Sequence, residues 1–215
     1  SPVANASGAV TLTMTTNDNG NTGPGGPLTD VDTSTITVVA VNDTPTVTAP
    51  ATLSVVEDNS LTITGITFAD IDAGTGAMRI TLTVPAGTGV LNWTTTAFIG
   101  ATGSGTNTLV LTGQLAALNN AILAGKVVFA PAANYTGSLT LSTTINDQGN
   151  TGLDPGLTGN ATSEESTANT TITVTAVNDA PVNTLPATFT TLEDTSVKLA
   201  GLSIADVDAA SGTMT

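Results

Sequence analysis

The sequence predicts an all-β protein, a Greek-key β-sandwich built from tandem repeats, and three observations predict it. Apolar residues occupy every second position through several short stretches, as in Ala9-Val10-Thr11-Leu12-Thr13-Met14-Thr15, which is the pattern of strands with one buried and one wet face. The apolar residues are mainly Val, Ile and Leu set among abundant Thr, with only 3% aromatic and 9% charged residues, a mixture suited to pleated sheets. The chain also repeats itself at a spacing far longer than a hairpin.

In chain order, the same alternation predicts strands at Ala9–Thr15, Thr35–Val39, Leu61–Thr64, Leu139–Ser142 and Thr171–Val174. Thr on the wet face keeps β-propensity high without adding charge. One segment reads as helical: Gln114–Ile122, where Leu115, Leu118 and Ile122 recur at helical spacing after Gly113, predicting one or two turns. Short strands with turn signals between them and a single helical insert argue against a parallel sheet, and about seven or eight strands per repeat would account for the spacing.

The repeat is explicit. Val41-Asn42-Asp43-Thr44-Pro45 returns as Val177-Asn178-Asp179-Ala180-Pro181, Glu57-Asp58 as Glu193-Asp194, Asp70-Ile71-Asp72 as Asp206-Val207-Asp208 and Met78 as Met214, all offset by 136. Upstream, Asn17-Asp18-Asn19-Gly20-Asn21-Thr22-Gly23 returns as Asn146-Asp147-Gln148-Gly149-Asn150-Thr151-Gly152 at an offset of 129, so the second copy carries seven extra residues between Gly152 and Thr171. That insertion, with Pro155, Gly156, Gly159 and Asn160, has the composition of a variable hairpin loop. The expected organisation is the C-terminal part of one repeat over 1–41, a complete repeat over 42–177 and the N-terminal part of the next over 178–215. Neither chain end is expected to be a natural domain boundary, and no leader or membrane-length apolar run is visible within this stretch.

Composition excludes several functions. With no Cys and no His, disulfides, thiol nucleophiles, imidazole bases and nearly all zinc or haem chemistry are removed. The formal net charge is -14 with only Arg79, Lys126 and Lys198 basic, which argues against nucleic acid and anionic membranes as partners. An enzyme is not expected: a glycosidase-like carboxylate pair needs a cleft with one acid in an apolar pocket, and the acids here lie in polar, Gly-rich contexts.

Those acids are grouped. Of 17 acidic residues, 12 fall in the repeated motifs: Asp18, Asp43, Glu57, Asp58, Asp70, Asp72, Asp147, Asp179, Glu193, Asp194, Asp206 and Asp208. The remaining five, Asp30, Asp32, Asp154, Glu164 and Glu165, lie in the hairpin region that differs between copies, where Glu164-Glu165 and Asp30 with Asp32 read as solvated loop charges. Carboxylates, Asn side chains and loop carbonyls gathered at strand ends suit calcium, which takes six to eight oxygen ligands. Each short motif taken alone is equally an ordinary turn. Trp93 and Tyr135 read as core or rim packing, and the Asn-x-Ser/Thr sequons at Asn5, Asn42, Asn92, Asn134, Asn160 and Asn169 as chance in a Thr-rich chain.

Together the motifs resemble the bacterial cadherin-like tandem repeats of large extracellular surface proteins, of the type I-secreted, RTX-adhesin-like kind, over nearly the whole chain. The resemblance is carried by Asp70-x-Asp72, Glu57 near the first strand, Asp147-x-Gly149 before the last hairpin, and the linker Asn42-Asp43-x-Pro45. It implies a cadherin/Ig-like sandwich in which Asn42, Asp43, Asp70, Asp72 and Asp147 meet at one end of the central repeat, with Glu57 at the other end facing Asn178 and Asp179. Asp206 and Asp208 would join Asn178 and Asp179, and Asp18 would belong to the preceding repeat. The acidic motif that cadherins carry in mid-domain has no counterpart near Gln114–Ile122.

The expected function is that of a calcium-stiffened extender repeat in a cell-surface adhesin or extracellular filament. Its partners would be neighbouring repeats of the same chain and identical chains in a fibre. A glycan- or ice-binding sandwich is the alternative, resting on the Thr-x-Thr ladders at Thr11, Thr13, Thr35, Thr37, Thr62 and Thr64.

Overall fold

The computed structural model describes every residue except 22, 160–162, 210, 211 and 213–215. Two features read from the sequence, the Asn160 sequon and the Met214 match to Met78, lie outside the described residues.

The chain is almost entirely β. Strands β1 (Gly8–Asn17) and β2 (Thr29–Val38) form a hairpin, followed by β3 (Thr46–Thr48), β4 (Thr52–Val56), β5 (Leu61–Thr62), β6 (Thr67–Ala69), β7 (Ala77–Thr83), β8 (Gly89–Trp93), β9 (Ile99–Thr102) and β10 (Thr108–Gln114). Helix α1 (Leu115–Leu123) leads to β11 (Val127–Pro131), β12 (Gly137–Asn146), β13 (Glu165–Thr175), β14 (Val182–Thr184) and β15 (Ser203–Ala205). Within 42–177 a six-stranded sheet of order β4-β13-β12-β7-β10-β9 is covered by the three-stranded sheet β5-β11-β8 and the pair β3-β6. Every pairing is antiparallel except β4 along β13, so connections cross between the layers as a sandwich requires. The expected seven or eight strands become eleven segments, β3 to β13, because β3, β5 and β6 are fragments of two or three residues that cover one end of the core.

Alternation fixes which face is buried. Met78, Ile80 and Leu82 on β7, Leu109 and Leu111 on β10, Leu139, Leu141 and Ile145 on β12, and Ile172 and Val174 on β13 point inward. Leu91, Val127 and Phe129 meet them from the smaller sheet, and Ile63, Ile66 and Phe68 close one end. Trp93 and Tyr135 are half-buried and pack against this core.

Helix α1 begins one residue later than its expected position and buries Leu118, Ala121 and Ile122. It ends where Gly125 turns into the left-handed region at φ 66, with Gly125 N–H donating to Ile122 O at 3.0 Å and Lys126 N–H to Ala121 O at 3.1 Å. Asn119 on this helix completes the edge of β6: its Oδ1 accepts from Phe68 N–H and its Nδ2 donates to Phe68 O, both at 2.9 Å.

The repeat read from the sequence is a repeat of structure. Hairpin β1–β2 pairs Gly8 with Val38 and Val10 with Ile36, and β12–β13 pairs Gly137 with Val174 and Leu139 with Ile172. The matching residues are exposed in the first copy, Val10 at 57% and Ile36 at 50%, and buried in the second, where β4 and β7 flank the hairpin.

Candidate functional site: two acidic joints

The linker Ala40–Pro45 enters the central repeat beside the ends of β6 and β12. Asn42 is buried, and its Nδ2 donates to Asp147 Oδ2 at 2.6 Å. Asp147 is buried too: its Oδ1 accepts from Gly149 N–H at 2.8 Å and Glu164 N–H at 2.9 Å, a loop clasp made by the residue pattern Asp-x-Gly. Gly149 sits at φ 70, as does its counterpart Gly20, the left-handed conformation that glycine adopts without cost.

Asp70 and Asp72 follow β6 in a tight turn. Asp70 Oδ1 accepts from Asp72 N–H at 3.1 Å, and Asp72 Oδ2 accepts from Asp43 N–H at 3.0 Å. The second oxygens, Asp70 Oδ2 and Asp72 Oδ1, are buried and have no hydrogen-bond partner. Desolvation, the Asp72 side chain and the charges of Asp72 and Asp147 push the Asp70 carboxyl from 3.8 up to about 7. The like charges at this corner therefore make Asp70 harder to ionise.

The second joint repeats the arrangement. Glu57 is buried at the far end of the repeat, where its Oε1 accepts from Val177 N–H at 2.7 Å. Asp206 Oδ1 accepts from Asp208 N–H at 2.8 Å, and Asp208 Oδ2 accepts from Asp179 N–H, as Asp70, Asp72 and Asp43 do at the first joint. Asn178 donates from Nδ2 to Asp179 O at 3.1 Å. Asp179 Oδ2 is buried and unpartnered. Burial, then the charges of Asp208, Asp58, Glu57 and Asp206, hold the Asp179 carboxyl above its usual range.

Asn42, Asp43, Asp70, Asp72 and Asp147 therefore lie together at one end of the central repeat, and Glu57, Asn178, Asp179, Asp206 and Asp208 at the other. Asp18 stands apart from both: its Oδ1 accepts from Gly20 N–H at 2.9 Å and Leu28 N–H at 2.8 Å inside its own loop, and the backbone hydrogen bonds hold its carboxyl below the usual range. Among the described residues no group of three or more acidic side chains is already arranged as a metal cage.

Two residues read as solvated loop charges are not: Glu165 opens strand β13, half-buried, and accepts from Asn146 Nδ2 at 3.4 Å. Glu164 is fully buried; it accepts from Leu157 N–H at 2.9 Å, Thr158 N–H at 2.6 Å, the Thr158 hydroxyl, and the Thr44 hydroxyl of the linker at 3.3 Å. These donors, led by the Thr158 hydroxyl, hold its carboxyl below the usual range. The offset of 136 aligns Glu164 with Leu28, and their backbones occupy the same place: Leu28 N–H donates to Asp18 Oδ1 as Glu164 N–H donates to Asp147 Oδ1. Asp30 and Asp32 are exposed as expected, but on strand β2 rather than in a loop.

Fold and site together define a β-sandwich repeat with acidic joints at both ends. No family model and no curated protein matches the chain. Among solved structures, one similar chain is described as protocadherin gamma B2 extracellular cadherin domains 3-6, at 18% identity and a TM-score of 0.41 over 86% of this chain and 37% of that one. The chain thus spans just over a third of that structure's length. Among the described residues no helix is long and apolar enough to cross a membrane.

Proposed function

We propose that this chain is a run of calcium-stiffened structural repeats from a bacterial cell-surface adhesin or extracellular filament. The observation that carries the reading is the pair of joints, each with linker acid, Asp-x-Asp turn and at least one buried carboxylate oxygen lacking a partner. A buried acceptor without a donor costs about 1–3 kcal/mol, more if charged, and a hard divalent cation satisfies several such oxygens at once. Asn42, Asp43, Asp70, Asp72 and Asp147 would hold it at the first joint, and Glu57, Asn178, Asp179, Asp206 and Asp208 at the second. Calcium supplies no chemistry there beyond charge neutralisation and cross-linking of linker to repeat.

The protein's own residues set how far it goes. Asn42 and Asp147 already bond each other, so the linker is held at Asn42, while Asp70 Oδ2 and Asp72 Oδ1 remain to be neutralised. Extracellular modules of this chemistry bind calcium with dissociation constants of roughly 10⁻⁴ to 10⁻³ M, which suits a chain that stays loose inside the cell and stiffens after export. The test is a calorimetric calcium titration of the wild type against Asp70→Ala with Asp72→Ala. Millimolar binding in the wild type, with one joint's worth of heat lost in the variant, is expected; identical titrations would remove the ion from this joint.

A glycan- or ice-binding outer face is the second reading. The register favours it at one place, the hairpin β1–β2, where Thr11 stands opposite Thr35 and Thr13 opposite Thr33. Cross-strand Thr pairs also stabilise sheets by themselves, and in the second copy Thr144 and Thr167 bond each other at 2.7 Å, leaving less for a ligand.

A further inference from the structure

The β12–β13 loop, which carries the insertion, reaches across to the linker that precedes its own repeat. Leu153 N–H donates to Ala40 O, and Asn42 N–H donates to Leu153 O, both at 2.9 Å; the result is an isolated parallel bridge between Val41 and Leu153. Gly152, at φ 88, passes so close beneath the linker that a Cβ there would stand 2.6 Å from Asn42 N. Glu164, fixed by donors of the inserted loop, takes the Thr44 hydroxyl.

The first copy has the same loop without the means to do this. The offset of 129 places Pro24 where Leu153 stands, and proline has no N–H to give. The offset of 136 places Leu28 where Glu164 stands, with no carboxylate to accept. At the joint after the central repeat, Glu57 accepts from Val177 N–H and Asp208 accepts from Asp179 N–H.

We propose that the β12–β13 loop is a metal-independent clasp: it straps the preceding linker to the central repeat, so the first joint stays ordered without a cation. The clasp stands on hydrogen bonds between protein groups and does not rest on the calcium reading.

The chain has no cysteine, so spin labels can be placed at will. The pair Thr35→Cys with Thr112→Cys spans the first joint. Double electron–electron resonance is expected to give a distance distribution as narrow in EDTA as in millimolar calcium. Leu153→Pro, which copies the first repeat, and the near-isosteric Thr44→Val should each widen it in EDTA, as local opening without global unfolding does, while leaving the melting temperature of the sandwich nearly unchanged. A wild-type distribution that is wide in EDTA and narrows only with calcium, or one left narrow in EDTA by both substitutions together, overturns the clasp.

Discussion

Replacing Asp70 by Asn should stabilise the metal-free protein, against the usual cost of altering a half-buried polar residue. Asn keeps the oxygen that accepts from Asp72 N–H, offers Asp72 an N–H in place of a proton, and removes one of the charges that push the Asp70 carboxyl from 3.8 to about 7. In the limit of no solvent screening that rise corresponds to about 4 kcal/mol of ionisation cost. Asp70 is only partly buried, so screening brings the expected gain to about 1–2 kcal/mol. The direction with pH follows from linkage. Below 3.8 the carboxyl is protonated in folded and unfolded chains alike and costs nothing; as pH rises toward 7 the unfolded chain releases its proton first, so stability falls; above about 7 the full cost is present. Urea unfolding in EDTA should therefore show Asp70→Asn more stable than wild type at pH 8 and level with it near pH 4, and millimolar calcium should reverse the order at pH 8. A variant less stable by the same amount at both pH values, with or without calcium, would refute the carboxylate cluster as the cause.

Two further predictions concern the scaffold. Asn119→Leu strands both backbone groups of Phe68 at the β6 edge and should cost about 2–4 kcal/mol by chemical denaturation; a loss under 1 kcal/mol would mean that water replaces the side chain. Thr143 is buried in the core with its hydroxyl unpartnered, so Thr143→Val should gain about 1 kcal/mol, and a loss would reveal a hydrogen bond to an internal water.

How much was legible in the sequence depended on what kind of signal a residue gives. Hairpin β12–β13 was readable from Leu139, Leu141, Ile172 and Val174 because alternation reports one buried face directly. The helix was readable from Leu115, Leu118 and Ile122 for the same reason at a different period. The predicted strand Leu61–Thr64 shrinks to two residues because Gly65 turns the chain at φ 77, and β2 starts earlier than expected because Asp30 and Asp32, poor strand formers, lie on its exposed faces. The acids of the two joints were found through repetition, since copying at 136 marks a position whatever its chemistry. The burial of Glu164 was missed because it depends on donors within an insertion that has no second copy. The clasp likewise depends on a backbone N–H at Leu153, which no side-chain pattern reports.

The central claim is that a cation ties linker to repeat at both joints. Small-angle scattering with thermal unfolding, in EDTA and in millimolar calcium, tests it most directly when wild type is set beside Asp70→Ala with Asp72→Ala and beside Asp206→Ala with Asp208→Ala. Calcium should raise the melting temperature and lengthen the wild-type particle, with each variant losing part of the response. Equal scattering curves and equal melting temperatures with and without calcium in all three proteins would contradict it.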